Sequence, residues 1–190
     1  MTELSLHIFD IVQNSLRAHS DTVEIAVSID CGQNGCDFLE IKISDNGYGM
    51  TKEQLESAFN PFTRIERGKR NGLGLSLFKE AAEKTGGGTY IQSDCGQGTV
   101  VTAKFLLSSI DRLPLGNIAL TVRLLATANP DVNICFSYSV FGESFSLSSA
   151  GLVDILGDIP LSSREVTDFI EKYIGESISN LNKKYCLKGI

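Results

Sequence analysis

Apolar and polar positions recur with a readable period along most of this chain. Leu4, Ile8, Ile11, Val12 and Leu16 fall at helical spacing and predict a first helix over Glu3 to Arg17 with one apolar stripe. Thr22 to Asp30 and Asp37 to Ser44 alternate apolar with polar residues and predict two antiparallel strands joined by a turn at Asn34-Gly35. Thr51 to Phe59 reads as a short helix, with Thr51 as N-cap, Glu53 and Glu56 in its early turns and Pro61 as its stop. Leu75, Leu77, Phe78, Ala81 and Ala82 predict a second long helix over Leu75 to Lys84, closed by Gly86, Gly87 and Gly88. Two more strands follow, Thr89 to Asp94 and Thr99 to Leu106, around the turn Cys95-Gly96-Gln97-Gly98. Helices and strands alternating irregularly around an antiparallel sheet predict an α+β fold, a two-layer α/β sandwich.

After Leu107 the pattern changes, and the expected boundary divides residues 1–112 from 113–190. Ile118 to Ala128 predicts a helix stopped by Asn129-Pro130. Val132 to Phe141 and Glu143 to Ser149 predict a hairpin turning at Gly142. Ser162-x-x-Glu165 has capping-box spacing, ahead of Val166, Phe169, Ile170, Tyr173 and Ile174 at helical spacing. This helix-hairpin-helix extension is small for an independent domain, so it is expected to pack on the sheet, on a partner or on a second copy of the chain.

Composition narrows the classes. With 190 residues and 42% hydrophobic content, the chain holds enough apolar surface for a core. A net charge of −6 repels nucleic acid, and no basic surface long enough to override that field is visible. No apolar run approaches the roughly 20 residues a membrane span needs, and no secretory leader pattern opens the chain, so a cytoplasmic protein without membrane contact is expected. Five cysteines without a pairing pattern fit a reducing compartment. Cys31 and Cys36 flank GQNG, where a hairpin explains the residues better than a metal knuckle or a redox pair.

Candidate chemistry concentrates between Ile41 and Leu75. Gly47 and Gly49 follow Asp45 at the end of a strand, where backbone without Cβ can approach a flat ligand. Gly72 and Gly74 open the second long helix, whose free N–H groups and positive dipole end suit phosphate. Between the two glycine pairs lie Arg64, Arg67, Lys69 and Arg70, in a segment from Asn60 to Asn71 that reads as a loop able to close over a ligand. Asp10 and Asn14, four residues apart, share one face of the first helix. Such a pair suits water activation and a divalent cation, and equally suits a solvated helix face.

Four motifs in order resemble the GHKL ATPase superfamily of gyrase, heat-shock chaperones, histidine kinases and MutL mismatch-repair proteins, over the chain up to Leu107. DIVQNSLRA is similar to its asparagine box, DNGYGM to its first glycine box, FNPFTR with GLGLSL to the phenylalanine and second glycine boxes of histidine kinases, and GQGT to its last box. The resemblance implies an ATP site with magnesium. Asn14 becomes the magnesium ligand and Asp10 the catalytic position. Asp45 takes the adenine amino group, supported by Thr99, with Gly47, Gly49 and Met50 shaping the base pocket. Phe59, Arg64, Lys69, Arg70, Gly72, Leu73, Gly74 and Leu75 become the lid and phosphate side, with the cations neutralising phosphate charge.

The chain departs from the pattern at two points. Lys69-Arg70-Asn71 stands where histidine kinases often carry another Gly-rich triplet, and Asp10 stands where kinases have an amide and hydrolysing relatives Glu. Because the first helix begins within a few residues of Met1, no hairpin carrying a phosphoaccepting histidine is expected before it, and His7 and His19 are expected to be structural or surface residues. The expected protein is a stand-alone ATP-Mg-binding histidine kinase-like ATPase in a regulatory or coupling role. Its extension meets a partner or a second copy, and removing residues after Leu113 is expected to leave nucleotide binding intact. Phosphotransfer to a separate protein, as in anti-sigma-factor kinases, and a nucleotide-gated module without turnover are the alternatives.

Overall fold

The computed structural model describes residues 2–32, 37–59 and 74–187. The chain runs α1 (Leu4–Arg17), β1 (Thr22–Cys31), β2 (Asp37–Asp45), α2 (Lys52–Ser57), α3 (Gly74–Lys84), β3 (Gly88–Asp94), β4 (Gly98–Leu106), α4 (Ile118–Ala128), β5 (Asn133–Val140), β6 (Glu143–Ser148), α5 (Ser149–Leu156) and α6 (Arg164–Lys184). Among the described residues, six strands form one sheet in the order β3-β4-β2-β1-β5-β6. The expected α/β sandwich is present. The turn expected at Asn34-Gly35 and the loop expected over Asn60 to Asn71 lie outside the described residues.

Strand alternation puts one apolar face of this sheet against the helices. Register aligns that face in rows: Ile25, Ile43, Val101 and Phe136 in one, Val27, Ile41, Ala103 and Tyr138 in the next, Ile29, Leu39, Phe105 and Val140 in the third. All are buried, and Leu4, Ile8, Ile11 and Val12 of α1 close over them with Phe78 and Ala82 of α3 and Val122 and Leu125 of α4. The opposite face is polar, with the cross-strand pair Lys104 and Glu40 at 3.0 Å.

The strands up to Leu106 pair antiparallel, as expected, and one joint beyond them was not read from the sequence. β5 runs parallel to β1, with Ile134 beside Val23 and Val140 beside Ile29. Local alternation does not encode such a pairing, which needs a long crossover. The segment beyond residue 112 therefore extends the sheet in its own plane. Its hairpin turns through Phe141 (φ 48°) and Gly142 (φ 89°), the two positive angles of a type I′ turn.

Two further details differ from the sequence reading. α6 starts at Arg164 with Ser163 as N-cap, and no side chain caps it. A turn closed by the Ser163 N–H on the Pro160 carbonyl, 3.0 Å, shifts the start by one residue, so Glu165 cannot complete the box expected from Ser162. A capping box does form at α2, between Thr51 and Gln54. α5 was not anticipated, because eight residues carry too little periodicity to read. α6 continues past Ile174 with Ile178 and Leu181 packed against the core, and it is held further by the Tyr138 hydroxyl donating to Asn182 Oδ1 at 2.8 Å and by the Arg123–Glu171 ion pair at 2.9 Å.

This packing predicts the opposite of a detachable extension. Removing residues after Leu113 strips Phe136, Tyr138 and Val140 from the three rows, so circular dichroism on heating should lose its cooperative melt; a retained melt would show that the first part folds alone. Phe136→Ala should cost about 3–5 kcal/mol in denaturant unfolding, and a loss under 1 kcal/mol would contradict the placement of that ring in the core.

Candidate functional site

A fourth row lies at one end of the sheet's inner face, and there the apolar pattern breaks. In register stand Ser93, Thr99, Asp45, Val23 and Ile134. Three neighbouring polar residues thus occupy positions where the other rows carry Val101, Ala103 and Phe105 on β4, Ile43, Ile41 and Leu39 on β2, and Ile91 and Thr89 on β3. A core row does not tolerate this unless the groups are partnered or face a ligand.

Each group is partly satisfied. Asp45 Oδ1 accepts from the Gly47 N–H at 2.9 Å, and Asp45 Oδ2 accepts from the Ser15 hydroxyl of α1 at 2.7 Å. The Ser93 hydroxyl donates to the Gly98 carbonyl at 2.8 Å and lies 2.9 Å from Thr99 Oγ1. Since Ser93 has one proton and gives it to a carbonyl, Thr99 donates to Ser93 and keeps lone pairs free. A carboxylate accepts about four hydrogen bonds, so Asp45 retains capacity for a further donor.

Close backbone approach fixes this end of the sheet. A Cβ on Gly98 would lie 1.8 Å from the Asp45 carbonyl, and one on Gly49 would lie 2.0 Å from the Asp94 carbonyl. Both glycines have positive φ, +84° and +67°. Gly47 is also confined, its missing Cβ falling 2.6 Å from the Ala18 carbonyl. Hydrogen bonds stitch the same segments: the Tyr48 N–H donates to Ala18 and the Gly96 N–H to Tyr48. The Asn46 side chain accepts from the backbone N–H groups of Asp21 and Thr22.

The same helix that sends Ser15 to Asp45 opens, on its polar face, a cleft of about 330 Å³ lined by Phe9, Asp10, Gln13, Asn14, Arg17 and Gly74. Asp10 and Asn14 therefore face one space, as their spacing predicts. Gly74, first residue of α3, comes so near that a Cβ there would lie 3.3 Å from Asp10 Oδ2. Asn14 Oδ1 accepts from Arg17 Nη1 at 3.1 Å. Gln13, Arg17 and Phe9 were missed because helical spacing gives a face and not the space it meets; Ser15 was detectable as a polar residue at Ile11 plus four, on the apolar stripe.

Also on α1 is His7, 2% exposed, its ring 5.6 Å from that of Phe78 and its Nδ1 without a hydrogen-bond partner. Burial holds its pKa below the ordinary value, against the opposing pull of Asp10. His7 is thus a buried residue packed between α1 and α3, and not a surface one. Phe59 lies against Lys79 of α3, the ammonium 4.9 Å from the ring centroid. Met50 and Leu75 are half-buried, Met50 just ahead of α2 and Leu75 in the first turn of α3. Arg64, Lys69, Arg70, Gly72 and Leu73 lie outside the described residues.

A family model described as histidine kinase-, DNA gyrase B-, and HSP90-like ATPase matches residues 2–109. Among relatives, Sensor histidine kinase WalK of Bacillus subtilis (strain 168) is 30% identical over 98 residues, covering 49% of this chain and 16% of that protein. Histidine protein kinase DivJ of Caulobacter vibrioides is 32% identical over 101 residues, 51% of this chain and 16% of that protein. Sensor kinase CckA of Brucella abortus (strain 2308) is 41% identical over 64 residues, 33% of this chain and 7% of that protein. The matches thus span 16% or less of these relatives' lengths. A crystal structure of the N-terminal domain of a DNA repair protein is similar in fold, with a TM-score of 0.57 at 16% identity over 88% of this chain and 56% of that one. That coverage exceeds what residues 2–109 supply, so the likeness of fold reaches beyond β4.

The geometry sets two tests. Gly49→Ala meets both a carbonyl and a positive φ; the φ strain alone is worth about 1–3 kcal/mol, so a clear fall in melting temperature is expected, and an unchanged one would contradict the close approach. His7 should tie stability to pH. The unfolded histidine titrates near its ordinary 6.5 and the folded one lower, so the unfolded state binds more protons as pH falls through 6.5 and stability drops. His7→Gln should flatten that part of the stability profile; an unflattened profile would assign the drop elsewhere.

Proposed function

Since the chain belongs to the histidine kinase-, DNA gyrase B-, and HSP90-like ATPase family, we propose that it binds and turns over ATP with magnesium between Asp45 and Asp10, coupling nucleotide state to a protein partner. The observation that carries this reading is that α1 reaches a polar row, Ser93, Thr99 and Asp45, through Ser15 and lines a cleft with Asp10 and Asn14. A purine amino group fits the remaining acceptor capacity of Asp45, and Thr99 offers lone pairs beside it.

The donor set suits magnesium. Asn14 Oδ1 is a hard oxygen that already attracts the Arg17 guanidinium, and the Asp10 carboxylate lines the same cleft. Among the described residues no cluster of three or more His, Cys, Asp or Glu forms a closed metal cage. Magnesium commonly keeps waters and binds phosphate oxygens beside one or two protein ligands, so this sparse set is appropriate. When bound, the ion would neutralise charge on the phosphate oxygens. Asp10, beside the start of α3, is the residue of this cleft able to accept a proton from an attacking water. Arg64, Lys69 and Arg70 are assigned to phosphate charge from the motif they follow. The segment beyond residue 112 is assigned to a protein partner or a second copy. No helix among the described residues is long and apolar enough to cross a membrane.

The test follows the label of γ-labelled ATP with magnesium, with and without cell extract. Free phosphate is expected, reduced about a hundredfold or more in Asp10→Asn, with Asp45→Ala weakening nucleotide binding. Label on another protein would replace hydrolysis with phosphotransfer, tight binding without turnover would leave a nucleotide gate, and unchanged affinity in Asp45→Ala would overturn the base assignment.

A further inference from the structure

The hydroxyl that holds Asp45 comes from a position where a helix of this kind should carry a hydrocarbon. Ser15 follows Ile11 by four residues and Val12 by three, on the buried stripe of α1, and is itself 4% exposed. Its single proton goes to Asp45 Oδ2 at 2.7 Å, the short distance of a hydroxyl donating to a charged oxygen. The Ser15 carbonyl is fixed in turn by the Ser20 hydroxyl at 2.8 Å, and Ser20 is 3% exposed. With the Gly47 N–H on the other oxygen, both ends of the carboxylate are tied before any ligand arrives. A carboxylate tied at both oxygens has no free rotation about its last bond, and its unused lone pairs keep one direction.

We propose that Ser15 is a positioning residue that sets selectivity for a 6-aminopurine by aiming the Asp45 carboxylate at the exocyclic amine. The inference rests on the reading of Asp45 as the group that meets the base. Ser15 itself touches no part of the nucleotide in this account. It acts by keeping Asp45 from rotating toward water, so that the hydrogen bond from the amine forms without reorganisation. Removing one hydrogen bond to a charged group corresponds to about a tenfold change in an equilibrium, and here that change should fall only on ligands bearing the amine.

The experiment measures dissociation constants, with magnesium present, for ATP and for purine riboside 5′-triphosphate, which lacks the amine. The unaltered chain, Ser15→Ala, Ser20→Ala and Asp45→Ala are compared. Alanine favours a helix, so Ser15→Ala is expected to fold, and a thermal melt verifies it. Expected is a preference for ATP that shrinks about tenfold in Ser15→Ala through weaker ATP binding, while the analogue shifts less than twofold. Ser20→Ala loosens the same helix end without touching Asp45 and should preserve the preference. Equal weakening of both ligands in Ser15→Ala, no weakening of either, or an equal loss of preference in Ser20→Ala would overturn the role of the Ser15 hydroxyl. A preference absent from the unaltered chain, or intact in Asp45→Ala, would instead sink the base assignment beneath it.

Discussion

The structure depends on how closely three backbones approach at one end of the sheet. Gly98 stands against the carbonyl of Asp45 and Gly49 against that of Asp94, each closer than any Cβ would allow. Tyr48 joins both, accepting from Gly96 and donating to the end of α1. These contacts fix the carboxylate of Asp45 relative to α1, and α1 carries the cleft's lining except Gly74 of α3. A site spread over a helix, a strand end and a turn keeps its geometry only because this junction leaves no room to shift.

A large apolar core provides the reference frame for that junction. Three rows of buried side chains run across β4, β2, β1 and β5, and α1 lies on them through Leu4, Ile8, Ile11 and Val12. The fourth row substitutes Ser93, Thr99 and Asp45 for hydrocarbon, so the proposed base site is the place where the core's own lattice turns polar. The segment beyond residue 112 contributes to the same frame, since the inner residues of β5 complete each row. A partner that moved β5 or α4 would act on the layer that carries α1.

Much of this was legible from local pattern. Helical spacing gave α1 and α3, alternation gave β1 through β6, and the four glycine- and asparagine-bearing motifs placed Asp10, Asn14 and Asp45 in one family of sites. Non-local relations were not legible. The parallel pairing of β1 with β5 joins residues more than a hundred positions apart, and no period records it. The register that sets Thr99 opposite Asp45 is likewise absent from composition. Ser15 could have been found, as a hydroxyl on an apolar stripe, while Gln13 and Arg17 needed the cleft itself. At Ser162 the motif was present and the geometry was not, because a turn on Pro160 moved the helix start by one residue.

The central claim is that a carboxylate at the end of β2 and a polar helix face on α1 hold opposite ends of one nucleotide. A crystal structure with a non-hydrolysable ATP analogue and magnesium tests it directly. The account predicts the purine amine about 3 Å from the Asp45 carboxylate, with the phosphates over Asp10 and Asn14. A base seated elsewhere, for example between Phe38 and Tyr90 on the far face of the sheet, where a second cleft of about 320 Å³ lies, would contradict it.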